Sequence, residues 1–206
     1  MVFPADVASV LSGASMGQLR HWRNTGLVVP GVADDPALYS YQDVVALRIV
    51  MWLRTESTLQ RVRKAFANLR AYRFTDHPAS YRFGTDGDTI AVRDDDERWT
   101  DLVRKPGQTH MFTLAEVFQP FTTRNGREVV DFTRPRGHLR VDANLLGGWP
   151  AIEGTRIGFD TVAALVEDGS LTAEDVHHYY PSVPVEAVPD AVSFADSVAA
   201  ARSGAA

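Results

Sequence analysis

Ser15-Met16-Gly17-Gln18-Leu19-Arg20-His21-Trp22-Arg23-Asn24 is the stretch on which the fold turns. A serine followed three residues later by glutamine is the pairing that closes a capping box at a helix N-terminus. Leu19 and Trp22 then fall on one face, and Gly26 supplies a residue tolerant of positive φ to end the helix. Upstream, Pro4-Ala5-Asp6 opens a shorter helix, Val7 to Leu11, that stops at Ser12-Gly13. The segment therefore predicts two short helices joined by a tight turn. A helix that enters a DNA major groove needs small or polar residues at its start, amide or basic side chains pointing outward, and apolar anchors behind. Ser15 supplies the first, and Leu19 with Trp22 the last. Gln18 can pair bidentately with adenine, Arg20 and Arg23 can reach guanine or phosphate, and His21 can touch phosphate or base. The plainer reading, an amphipathic surface helix with a few arginines, explains these ten residues equally well.

The flanking sequence bears on that choice. Leu27 to Tyr41 holds two prolines, a glycine and an Asp-Asp pair between apolar ends, predicting two short strands with an irregular tip. Val44, Leu47, Met51 and then Leu59, Val62, Phe66 and Leu69 repeat at helical spacing, predicting two longer helices broken near Thr55–Ser57. From Ser80 to Val103, short β-rich runs separated by Asp-Gly and Asp-rich turns predict a small meander. Met111 to Phe121 is ambiguous between strand and short helix, and 122–138 reads as a strand bounded by loops or a linker. Leu139-Arg140-Val141 and Ile152 to Ile157 flank Gly147-Gly148-Trp149-Pro150, predicting a hairpin. Three helices should follow: 160–167, 172–180 capped by Thr172, and 185–202. The expected class is α+β, in three units: a head at 1–78, a β-rich middle at 79–138 and a hairpin plus three-helix bundle at 139–206.

Charge is distributed unevenly along those units. Residues 1–75 carry nine Lys/Arg against five Asp/Glu; residues 76–138 carry nine against eleven, and residues 139–206 three against ten. A basic head and an acidic tail within a chain of net charge −5 place any contact with nucleic acid at the head. Zero cysteines exclude disulfides, thiolate nucleophiles and thiolate metal sites. No apolar run approaches the roughly 20 residues of a membrane span, and the N-terminus lacks a secretory signature, so a cytoplasmic protein is expected.

Two resemblances sharpen these expectations. Leu19-Arg20-His21-Trp22, Gly26-Leu27 with Pro30, and Tyr39-Ser40-Tyr41 with Asp43 and Leu47 resemble the MerR-type DNA-binding domain, a winged helix-turn-helix. That resemblance implies that Ser15, Gln18, Arg20, His21, Arg23 and Tyr39 face DNA. The wing departs from the family: 33–38 carries two acids and no base. The motif running from Gly147 to Ile157, followed by Leu171-Thr172-Ala173-Glu174-Asp175-Val176 and Tyr180-Pro181, is similar to a small bacterial helical domain long catalogued as of unknown function, common in antitoxins encoded beside PIN-like ribonuclease toxins. Together the two are similar to the larger VapB-type antitoxins. They imply a homodimer that binds operator DNA and a PIN-like ribonuclease, with Arg134, Arg136 and Arg202 as candidates to enter the toxin's carboxylate cluster. The rival expectation is a MerR-like regulator whose middle segment senses a small ligand.

Other clusters carry plainer readings. Gly147-Gly148 lacks the context of a nucleotide loop, Asp94-Asp95-Asp96-Glu97 reads as a solvated turn, and adjacent His177 and His178 diverge on a helix. No catalytic residues, metal ligands or cofactor are expected.

Overall fold

The computed structural model describes residues 2–72, 74, 76–93, 97–104 and 114–204. Strand β1 (Phe3–Pro4) leads into α1 (Ala5–Ser12) and α2 (Met16–Asn24); β2 (Leu38–Tyr39) precedes α3 (Tyr41–Glu56) and α4 (Leu59–Ala71). The middle comprises β3 (Arg82–Thr85), β4 (Ile90–Arg93), β5 (Trp99–Asp101), α5 (Leu114–Phe118), β6 (Phe121–Thr122) and β7 (Glu128–Val129). The chain closes with β8 (Leu139–Arg140), β9 (Ala151–Ile152), α6 (Phe159–Val166), α7 (Ala173–Tyr179) and α8 (Ala187–Ser203). The class is α+β: helices packed around one another, with, among the described residues, four small antiparallel sheets at their edges.

Local chemistry sets most helix ends. Ser15 accepts from the Gln18 amide while the Gln18 side chain accepts from the Ser15 amide, closing the expected box. Ser40 with Asp43, and Thr172 with Asp175, build the same device on α3 and α7. Gly13 ends α1 at φ +81, and a Cβ there would lie 2.4 Å from a Val129 methyl, so the α1–α2 turn admits β7 only because residue 13 is glycine. Pro189 falls in the first turn of α8, where its missing N–H breaks no helical bond.

The strand pairing at 27–41 differs from expectation. Leu38–Tyr39 pairs with Phe3–Pro4, and 27–29 is not a strand. The backbone there has other partners: the Leu27 amide donates to the Trp22 carbonyl at 2.9 Å, Pro30 has no N–H, and the Gly31 amide donates to the Asp43 carboxylate at 2.9 Å. What survives of a wing is a tight reversal in which Ala33 and Leu38 exchange backbone bonds. The meander is a β3-β4-β5 sheet whose Phe83 stacks on Phe66 of α4 at 5.6 Å. The 122–138 stretch contains the β6–β7 hairpin, and β8 pairs with β9 as the glycine-rich turn predicts. The 111–113 part of the ambiguous Met111–Phe121 run lies outside the described residues; 114–118 is helix α5, and Phe121 opens strand β6.

One continuous apolar core links the three stretches. Helix α1 is buried on every side from Asp6 to Ser12, because α8 covers the flank that α2 and α3 leave open. Trp149 stacks on Phe159 at 5.5 Å and meets Phe3 of β1 at 5.9 Å. At the centre, Arg48 is wholly buried and donates to the carbonyls of Leu11, Val117, Phe118, Gln119 and Val130, between the rings of Phe121 and Phe132. A single side chain thus ties α1, α3, α5 and the β6–β7 hairpin together. Among the described residues no helix is long and apolar enough to cross a membrane.

Candidate nucleic-acid interface

Helix α2 buries Leu19 and Trp22 and turns its other side to solvent. Gly17, Arg20, His21 and Asn24 are all exposed, and their i, i+3, i+4, i+7 spacing makes them one stripe along the outer face. Asn24, absent from the residues singled out by sequence, belongs to it; the helical period places it there. Arg20 and Asn24 have no side-chain partner among the described residues. His21 contacts Arg63 of α4 through its Nε2. The Arg63 Nε–H is buried without a hydrogen-bond partner among the described residues, so its guanidinium adds positive charge beside the stripe.

The remaining sequence candidates divide. Gln18 lies on the flank of the helix, and its Oε1 accepts from the Ser15 amide at 2.8 Å. A bidentate adenine contact needs that oxygen as well as the amide nitrogen, so base reading and capping compete for one side chain. Ser15 is likewise committed to the cap. Arg23 donates to the Asp34 carbonyl at 2.9 Å and sits 3.5 Å from its carboxylate, which fastens the helix end to the 33–38 reversal. Tyr39 is corrected: it is 1% exposed, paired with Phe3 in the β1–β2 ladder, and burial raises its phenol pKa, so it presents nothing to DNA on this surface.

Arg134 and Arg136, expected in a linker, and Arg202, near the end of α8, are all engaged within the fold. Arg136 donates to Ser193 and Ser197 of α8 and lies over the Phe194 ring. Arg134 pairs with Glu153, and Arg202 pairs with the buried Asp6 at 2.6 Å. Each closes the fold onto itself, although Arg134 and Arg202 keep much of their side-chain surface in solvent.

Behind α2 lies a cleft of about 860 Å³, bounded by the helix end and α4 and lined by Leu27, Phe66, Phe74, Asp43, Arg63 and His77 among others. Asp43 accepts from Gly31, Ser40 and His77, and these bonds hold its carboxyl below the usual carboxylate range against the opposing effect of burial. Among the described residues no three His, Asp or Glu side chains converge closely enough to hold a metal ion. Asp94, Asp95 and Asp96 lie outside those residues.

Comparison with known proteins bears on the C-terminal part and on the fold. A family model described as "Protein of unknown function (DUF433)" matches residues 140–195, within the stretch that carries the glycine-rich motif. Among solved structures, the chain is similar to Rv2018 from Mycobacterium tuberculosis, an X-ray crystal structure, at 13% identity and a TM-score of 0.52, over 92% of this chain and 96% of that one. The likeness extends over head, middle and tail, and at that identity it speaks for the fold. No curated protein matches the chain.

Proposed function

We propose that the chain is a cytoplasmic DNA-binding antitoxin of the VapB type, acting as a homodimer that represses its own operon and neutralises a PIN-like ribonuclease. The observation that carries the DNA half is the outer stripe of α2: Gly17 permits close approach at the helix start, Arg20 and Asn24 offer groups that recognise guanine, phosphate or adenine, and Leu19 with Trp22 anchor the back. The MerR-like reading of the head as a winged helix-turn-helix goes with it, the wing being shortened to the 33–38 reversal. The toxin half rests on the sequence resemblance of 139–200 and on the acidity of that stretch, which carries two Lys/Arg against ten Asp/Glu and is unsuited to phosphate.

Fluorescence anisotropy with the DNA upstream of the chain's own gene, against a scrambled duplex, tests the first half. Preference for the upstream duplex by a dimer is expected; equal weak binding to both removes the repressor reading. Co-expression with the adjacent gene's product, followed by pull-down and a ribonuclease assay, tests the second.

A form of the rival reading in which the ligand sits in the head, and not in the middle segment, has one observation in its favour. The cleft behind α2 could hold a small ligand against Phe66 and Phe74, and Arg63 couples it to His21 of the reading stripe. A small molecule that co-purifies and shifts operator affinity would favour this sensor over the antitoxin.

A further inference from the structure

A second, smaller cleft, about 340 Å³, opens where the first turn of α2 meets the end of α3 and the loop of the β6–β7 hairpin. Its polar lining includes Ser15, Gln18, Arg54, Arg124 and Arg127, and no carboxylate. Arg23, Arg61, Arg93, Arg104, Arg134 and Arg202 each have a carboxylate within 4 Å; Arg54, Arg124 and Arg127 are among the arginines that have none among the described residues, and these three line one cleft. Their hydrogen bonds are few: Arg54 reaches the Met51 sulfur at 3.8 Å and lies over the Trp22 ring, and Arg124 reaches the Thr55 carbonyl at 3.3 Å.

The fold fixes the backbone from which these guanidinium groups enter one cleft. The hairpin loop is braced by the Thr123 amide on the Arg127 carbonyl and the Arg127 amide on the Thr123 hydroxyl. Val129 is seated on Gly13, and Arg48 grips the Val130 carbonyl. Arg54 feels the Arg124 charge, and burial acts against the charged forms of both Arg54 and Arg127. Cationic side chains gathered without a counter-charge are relieved by an anion, and the guanidinium fork matches phosphate oxygens in pairs.

We infer that the Arg54–Arg124–Arg127 cleft is a phosphate-binding site, and that the phosphate it takes is one of the backbone of the DNA that α2 reads. The second part rests on the DNA-binding reading above. Gln18 forms both the wall of the cleft and the flank of the exposed stripe, so a duplex lying on Gly17, Arg20 and Asn24 brings a strand to the cleft. Phosphate contacts of this kind set register without reading sequence. The β6–β7 hairpin therefore does the work that the acidic 33–38 reversal cannot.

The full chain, Arg124→Ala and Arg124→Ala/Arg127→Ala are compared in two assays, with circular dichroism to verify folding; Arg124 is exposed, so the single variant keeps the core intact. Binding of a labelled upstream duplex is followed across a salt series, and binding of inorganic phosphate by phosphorus-31 line broadening. Expected are loss of phosphate broadening and a log affinity versus log salt slope flatter by about one unit, with sequence preference unchanged. Wild-type behaviour of both variants in both assays overturns the site. Lost phosphate broadening with an unaltered duplex slope keeps the site and overturns its assignment to the DNA backbone, leaving a free phosphate compound as the ligand. A wild type that broadens phosphate yet binds no duplex overturns the DNA reading and retains the site.

Discussion

Arg48 and Asp43 show how much of this molecule depends on single buried charges. Removing the Arg48 guanidinium takes a donor from five backbone carbonyls, those of Leu11 and Val117 fully buried, while Met fills similar volume. Burial pushes the Arg48 pKa down to about 10, opposed by Asp131, so the group is charged at neutral pH. Arg48→Met should destabilise the protein by about 3–5 kcal/mol, read from urea midpoints; a loss below about 1 kcal/mol would mean that water takes over the carbonyls. Asp43 gives a pH signature. Its folded-state pKa is lowered from 3.8, so its contribution is fully present above that value and fades as pH falls through the folded pKa. Asp43→Asn should cost about 1–3 kcal/mol at pH 7. The gap to wild type should close below pH 3.8, and a gap constant with pH would count against the charge. The two residues differ in legibility. Asp43 could be found from sequence as the third residue of a cap opened by Ser40, because that chemistry is local. The sequence places Arg48 on a helix, yet its partners at 117–119 and 130 are some seventy to eighty residues away and no spacing rule connects them.

At the scale of elements, α2 separates its capping residues from the exposed stripe proposed to read DNA. Its existence, cap and buried face were legible, since Ser15, Gln18, Leu19 and Trp22 act within one or two turns. The division of labour was not, because it depends on what lies beside the helix: Arg23 is drawn to Asp34, and Gln18 is spent on the Ser15 amide. Four substitutions should therefore behave differently on an operator fragment. Arg20→Ala should flatten the salt slope by about one unit without unfolding. Asn24→Ala should cost about 1–3 kcal/mol at one base position and relax specificity there. Gln18→Ala should lower stability by about 0.5–2 kcal/mol, the usual worth of a cap, and leave base preference intact. Trp22→Ala, which empties a fully buried site, should cost about 3–5 kcal/mol and abolish binding through unfolding. Anisotropy paired with circular dichroism melts separates these outcomes. If Gln18→Ala altered base preference and Asn24→Ala did not, the reading face would have to be turned toward the Gln18 flank.

At the scale of the whole molecule, the three stretches distinguishable by composition share too much core to unfold independently. Helix α1 is buried on all sides, and without α8 it would lose part of its cover. The same boundary is crossed by the Trp149 and Phe3 rings, by Gly148 against Tyr41, and by the Arg202–Asp6 pair. Asp6 is only 6% exposed and is paired with Arg202, so losing the tail removes both that cation and the helix packed beside it. Each such exposure costs the head free energy comparable with the few kcal/mol by which domains are stable. A chain ending before residue 139 should therefore fail to give a folded head, even though the α2 sequence is intact. The full chain should melt in one transition. Far-ultraviolet dichroism, which follows all helices, and tryptophan fluorescence, which includes Trp22 in the head and Trp149 in the tail, should give coincident midpoints. A milder lesion, Phe3→Ala, should lower both midpoints together because its ring touches the Trp149 cluster from the head side. Two resolved transitions, or a truncated head that keeps its dichroism and cooperative melt, would show that the α1–α8 contact is a docking surface between separately stable parts.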